Sequence, residues 1–285
     1  MSEHPVKAVK TFSTGQVRIH PQHVERSGWP VPLWLMLSRT WGAPRPIHCF
    51  LIEHVDGLVL FDTGQDPASV SEPDYFPGGL TGLQYRRLAR FDMTPEDSVT
   101  RQVRAAGYAI DDVRTVVLSH LHQDHIGGLR ELSKAHIVVA DAEWQEFQRP
   151  RAEARGYLSR HIDLPGLAWQ RITFDATTDD ELAPFSSRHD LAGDGSLVLL
   201  PTPGHTEGSM SLLVRRSGTA LLLVGDLSYD HALMTRGVVP GIGVRSVLEQ
   251  STRDVLELAE RLGGAAVLPA HDPGTAARLE DALGS

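Results

Sequence analysis

Short apolar runs alternate with longer amphipathic segments along this chain, the pattern of an α/β protein whose sheets are covered on their faces. The runs 47–52 and 57–61 flank a Val55-Asp56-Gly57 turn, and Asp-Gly at that place predicts a β-hairpin. Thr94 as N-cap and Pro95 at the first helical position open a helix. Its Val99, Val103 and Ala106 recur at helical spacing before Gly107 closes it. Strands are expected at 114–118 and 136–140, then a short helix over 141–147. In the second half, 197–200 is a strand running into a Pro-Gly loop, and 210–214 with 219–224 form a hairpin about Ser217-Gly218. The stretch 247–262 is an amphipathic helix ended by Gly263-Gly264, and 265–268 is a last strand.

The two halves resemble each other. In each, an apolar strand ends on an aspartate, Asp62 and Asp226, and a later strand ends on a histidine, His120 and His271. A helix lies between the two strands both times. A length of 285 residues alone would suggest about two domains. Two similar units sharing one sandwich make residues 1–285 a single domain instead.

Composition narrows the function. Lys+Arg 27 against Asp+Glu 36 gives a net charge of −9, which disfavours nucleic acid as a partner. Arg86-Arg87-Leu88-Ala89-Arg90 and Arg215-Arg216 read as solvated faces. The chain opens without a cationic leader, and the apolar stretch 31–37 is far short of the ~20 residues that span a bilayer. No membrane association and a cytoplasmic location are expected. One cysteine among 14 histidines rules out a disulfide scaffold and a Cys-based zinc module. Any metal must be held by imidazole and carboxylate.

Such groups cluster where open sheets place function, just past strand ends. Ser119-His120-Leu121-His122-Gln123-Asp124-His125-Ile126-Gly127-Gly128 sets three imidazoles and a carboxylate within six positions. His120 and His122, alternating in an extended loop, can share a cation, whereas Asp124 and His125 turn toward a second. His205 follows a strand in Pro201-Thr202-Pro203-Gly204-His205, Asp226 ends an apolar strand, and His271 ends the last. A buried Asp226 is costly unless paired or on a metal. Together these groups suffice for two cations with one bridging carboxylate.

His-x-His-x-Asp-His with a distant His, an Asp and a final His resembles the metallo-β-lactamase superfamily over nearly the whole chain. Phe61-Asp62-Thr63-Gly64 is similar to that family's early motif, whose Asp supports the site without being a ligand. The resemblance implies an αβ/βα four-layer sandwich of two similar halves. It implies two divalent ions, zinc by default with iron, manganese or cobalt as alternatives. His120, His122 and His205 would hold the first, Asp124, His125 and His271 the second, and Asp226 would bridge. Cys49 lies outside this set, which departs from zinc β-lactamases that use a cysteine. Tyr229, three residues after Asp226, and Gly204-His205-Thr206-Glu207-Gly208-Ser209 resemble the N-acyl-homoserine lactonases of quorum quenching. The implied reaction opens a lactone ring, with Tyr229 assisting at the carbonyl oxygen and Asp124 passing a proton to the leaving alkoxide. Alternatives are a thioesterase or organophosphate hydrolase on the same metals, and a non-catalytic metal-binding or sensor module. The apolar segments 29–37 and 75–80 are expected to cover the acyl-chain cleft or form a homodimer contact. The remaining nine histidines, 4, 20, 23, 48, 54, 136, 161, 189 and 231, are read as structural or surface residues.

Overall fold

In a computed structural model that describes residues 4–284, the apolar runs pair edge to edge into two sheets. The first contains β1 (Val6–Ile19), β2 (Arg45–His54), β3 (Gly57–Phe61), β4 (Ala89–Asp92), β5 (Val113–Val117), β6 (His136–Ala140) and β7 (Ala168–Ile172). Its strands lie in the order β4-β1-β2-β3-β5-β6-β7. The second contains β8 (Asp175–Ala176), β9 (Ser187–Asp190), β10 (Leu197–Pro201), β11 (Met210–Arg216), β12 (Thr219–Leu223) and β13 (Ala266–Leu268). Its order is β13-β12-β11-β10-β9-β8.

Strand side chains point alternately to opposite faces, and here both faces are covered. Phe50, Phe61, Val117 and Val138 point between the sheets to meet Leu199, Leu212, Leu223 and Leu268. Leu51, Leu60, Val116 and Ile137 point outward against Val99, Val103 and Phe147 of the flanking helices. On the far side, Leu213, Leu222 and Val267 pack on Leu248, Val255 and Leu258 of the helix Arg245–Arg261. Each such side chain contributes about 1.5–3 kcal/mol when fully buried. The strands therefore need to be apolar on both sides, and the chain becomes a four-layer αβ/βα sandwich.

The internal repeat is visible in the pairing. β3 and β5 are parallel, with the helix Val99–Ala105 in their connection; β12 and β13 are parallel, with Arg245–Arg261 in theirs. Both crossovers bring an Asp-bearing and a His-bearing strand end side by side.

Local structure departs from the sequence pattern in three places. The helix opening at Thr94 is split. Thr94 and Asp97 cap each other over a single turn, Pro95–Asp97, and Ser98 then goes extended to recap Val99–Ala105. Between residues 75 and 95, where the sequence pattern predicts no element, lie the helix Gly79–Leu88 and the edge strand β4. Arg86 and Arg90 there remain exposed, as a solvated face requires. The long strand β1 is absent from the sequence reading, because Lys7, Lys10, Thr11, Ser13 and Thr14 interrupt its apolar residues.

Candidate metal centre

β3 and β5, parallel neighbours in the middle of the first sheet, end side by side. At the end of β3, Asp62 takes a left-handed backbone (φ 59°), unusual for a residue with a Cβ. That turn aims its carboxylate under the loop after β5. Oδ1 accepts from the Ser119 N–H at 2.7 Å, and Oδ2 accepts from the Ser119 hydroxyl and His125 Nδ1, both at 2.8 Å. Thr63 grips the same loop, its N–H and hydroxyl both donating to the His125 carbonyl. Asp62 is thus the support expected of it.

These contacts fix which imidazole nitrogens are free. His125 donates through Nδ1 to Asp62, so Nε2 is the nitrogen turned toward Asp226 and the centre. The Ser119 hydroxyl donates to Asp62 and so accepts from His120 Nδ1 at 3.0 Å, freeing His120 Nε2. His271 donates through Nδ1 to the Pro46 carbonyl at 2.9 Å, freeing its Nε2 as well.

The second sheet supplies the other half. Gly204 (φ 130°) makes the tight turn after β10 that presents His205. Asp226 sits in a short turn after β12, and His271 follows β13. Asp226 Oδ1 lies 3.2 Å from both His125 Nε2 and His271 Nε2. Its Oδ2 lies 3.5 Å from His205 Nε2 and accepts the Tyr229 hydroxyl at 2.9 Å. Asp124 Oδ2 is 3.5 Å from His271 Nε2, and Oδ1 is 3.9 Å from His125 Nε2. His122 Nδ1 and His205 Nε2 face each other at 3.0 Å. All seven side chains expected from the sequence converge. Three overlapping groups have ligand atoms close enough to share a cation, His120-His122-His205, His120-His125-Asp226 and Asp124-His125-His271, and Asp226 turns one oxygen to His125 and His271 and the other to His205.

The donor set fits divalent cations. His120 Nε2, His125 Nε2, His271 Nε2 and Asp226 Oδ1 are buried without a well-formed hydrogen bond among the described residues. Buried polar atoms are rarely left so. Two imidazole nitrogens at 3.0 Å also need a proton or a cation between them. Electrostatics agree. Burial holds His120 well below the usual imidazole range and pushes His205 down to about 3. Burial opposes charge on His125 too, yet the Asp62 and Asp226 carboxylates hold it well above that range. For His271 the same contest is won by Asp226. Cations loading here would expel those protons, so metal affinity falls in acid.

One residue of the centre escaped the sequence reading. Glu143 is fully buried, and its Oε1 accepts from the Leu121 N–H at 2.9 Å, between His120 and His122. Its Oε2 accepts from the Thr206 hydroxyl at 2.7 Å and the Gly208 N–H at 3.1 Å, just past His205. A Cβ on Gly208 would stand 2.1 Å from the Glu143 backbone nitrogen, so glycine permits the approach. Glu143 therefore ties the ligand loops of both sheets together. The available signal was its place four residues before Phe147, on the apolar stripe of its helix.

A cleft of about 170 Å³ opens onto the centre. Asp124, Asp226, Tyr229 and His271 form its floor; Val17, Ile19, Val31, Leu35 and Leu88 form apolar walls. The segment 29–37 thus divides its roles. Val31 and Leu35 face the cleft, while Trp29, Leu33, Met36 and Leu37 are exposed.

Fold and site together define a metallohydrolase sandwich, and the comparisons agree. Residues 42–271 match the model of the metallo-beta-lactamase superfamily, and the chain belongs to that superfamily. A relative named N-acyl homoserine lactonase AttM, from Rhizobium johnstonii, is 33% identical over 231 residues, 80% of this chain and 82% of its own. A solved N-acyl homoserine lactone hydrolase with N-hexanoyl-L-homoserine at its catalytic metal center superposes with TM-score 0.74 at 23% identity, covering 94% of each chain. The dizinc quorum-quenching lactonase AidC superposes with TM-score 0.61 at 15% identity, over 95% of this chain and 90% of its own.

Proposed function

We propose that this protein is a dinuclear-metal hydrolase that opens the ring of N-acyl-homoserine lactones. The observation that carries the reading is Asp226, whose two oxygens face two separate His-containing groups at the floor of an apolar cleft. The similarity to AttM over four-fifths of the chain supports the same reaction. His120, His122 and His205 would hold one cation, Asp124, His125 and His271 the other, with Asp226 between them. Zinc is the proposed metal, supported by the AidC resemblance. Two such cations supply a water acidified toward neutral pH and polarisation of the lactone carbonyl.

The remaining steps belong to side chains. Burial and the neighbouring Asp226 hold the Tyr229 phenol far above its ordinary range, so it stays a donor. Its single proton, given to Asp226 in the structure, would turn to the carbonyl oxygen as negative charge develops there. Asp124, at the cleft floor, carries the proton of the attacking water to the ring oxygen as the ring C–O bond breaks. Lactone and water thus become the hydroxy acid.

Metal analysis coupled to ring-opening assays on short- and long-chain acyl-homoserine lactones tests the reading, with a thioester and a phosphotriester alongside. Two metals per chain and preference for lactones are expected; either control far faster than every lactone would overturn it. Tyr229→Phe is expected to retain both metals while kcat falls about 10²-fold, the scale of one lost oxyanion donor. Unchanged kcat would remove Tyr229 from the chemistry.

The chain is proposed to work as one domain, since its ligands come from both sheets, and as a homodimer. The helices Val31–Leu37 and Gly79–Leu88 pack together and expose Trp29, Met36, Leu37 and Leu80 beside the cleft, an apolar face suited to a second copy. Among the described residues no helix is long and apolar enough to cross a membrane. A cytoplasmic location is proposed.

A further inference from the structure

His23 stands at the cleft wall in the turn after β1, with 2% of its surface exposed. Its position is tightly set. Trp34 meets the ring edge-on at 4.8 Å, His20 stacks on it at 6.0 Å, and the His23 carbonyl accepts from the Gly241 N–H at 2.9 Å. His20 has both ring nitrogens against carbonyl oxygens, Thr40 at 2.7 Å and Arg87 at 2.9 Å. His23 differs: neither Nδ1 nor Nε2 makes a well-formed hydrogen bond among the described residues, the His20 backbone being its nearest polar neighbour. Leaving buried ring nitrogens without a well-formed partner is costly unless a ligand supplies one.

The walls around it are Val17, Ile19, Val31, Leu35 and Leu88, none with a side-chain hydrogen bond to offer. Gln84 and Arg155 also line the cleft but are engaged, Gln84 with the Ala154 carbonyl and Arg155 with Glu146 and the Arg149 carbonyl. Burial first, and His20 second, push the His23 imidazole down to about 3. Near neutral pH the ring is therefore uncharged, with one N–H to give.

We propose that His23 is a specificity-determining residue whose ring N–H donates to a carbonyl oxygen on the acyl arm of the lactone. This inference rests on the lactonase reading above. Two carbonyls share the required chemistry: that of the amide beside the ring, and a keto group farther along some acyl chains. An apolar acyl chain would fill the cleft around the one polar contact, and a substrate without that oxygen would leave the imidazole unpaired.

The test uses the metal-loaded enzyme with three lactones: an alkyl lactone without an amide, a straight-chain acyl-homoserine lactone, and its 3-oxo counterpart. His23→Phe is expected to lose about tenfold in kcat/KM, mainly through KM, on carbonyl-bearing substrates and to spare the alkyl lactone. His23→Gln, which keeps a donor, should recover most of the loss. A loss on both acyl substrates assigns the amide carbonyl; a loss confined to the 3-oxo substrate assigns the keto group. Independently, the His23 ring nitrogen resonances of wild type should shift when ring-opened product is added. Equal losses on all three lactones, no loss on any, or an unmoved resonance would overturn the role of His23 alone. A wild type inactive on every lactone would overturn the lactonase reading, and this inference with it.

Discussion

Replacing Asp226 by Asn is expected to reduce kcat/KM on the order of 10³-fold and to lower the metal content from two ions toward one. The carboxylate reaches histidines on both sides of the centre, through Oδ1 at 3.2 Å from His125 and His271 and Oδ2 at 3.5 Å from His205. An amide keeps one oxygen and turns an NH₂ toward the other cluster, where ring nitrogens wait to donate electron pairs. The substitution also removes a negative charge that offsets two cations. Losing several kcal/mol of charge stabilisation corresponds to about three decades in rate at 1.36 kcal/mol per decade. Metal per chain by mass spectrometry and steady-state rates check the outcome. Two tightly held ions with full activity would remove the bridging role.

Asp62→Asn should act through affinity first. Asn tolerates the left-handed backbone at this position, so the turn survives where a β-branched residue would strain it. What changes is Oδ2, which now accepts from both the Ser119 hydroxyl and His125 Nδ1. An NH₂ there faces two donors and can satisfy neither. His125 loses the partner that fixes its tautomer, and Ser119 loses the contact that orients it toward His120. Comparable losses of an orienting carboxylate weaken metal binding by about 10–100-fold. Chelator competition should show that drop, largest for the ion held by His125, together with a lowered Tm in the metal-free protein. Unchanged affinity would mean the imidazole is oriented by its packing alone.

Much of this was readable in the chain because both sheets are covered on both faces. Uninterrupted apolar runs such as Val138-Val139 and Leu221-Leu222-Leu223 announce themselves, and strand ends then point to Asp62, His120, Asp226 and His271. β1 stayed hidden for the opposite reason, its polar positions breaking the pattern. Glu143 was hidden because its partners are backbone N–H groups of distant loops, which leave no mark in sequence. His23 looked like any core histidine. Only the lack of a well-formed hydrogen bond at both ring nitrogens, at the wall of the cleft, sets it apart.

The proposed seating of each cation between strand ends of opposite sheets would have a mechanical consequence. A cation held by His120, His122 and His205, or by Asp124, His125 and His271, clasps segments about 80 to 150 residues apart in the chain, as a crosslink would. Prying the layers apart then requires releasing the ions. Resistance to unfolding should therefore track free metal, gaining about 2.7 kcal/mol per ion at a hundredfold excess over its dissociation constant. Metal scarcity would be felt as loosening of the whole sandwich, and proteases would cut the starved chain before the loaded one.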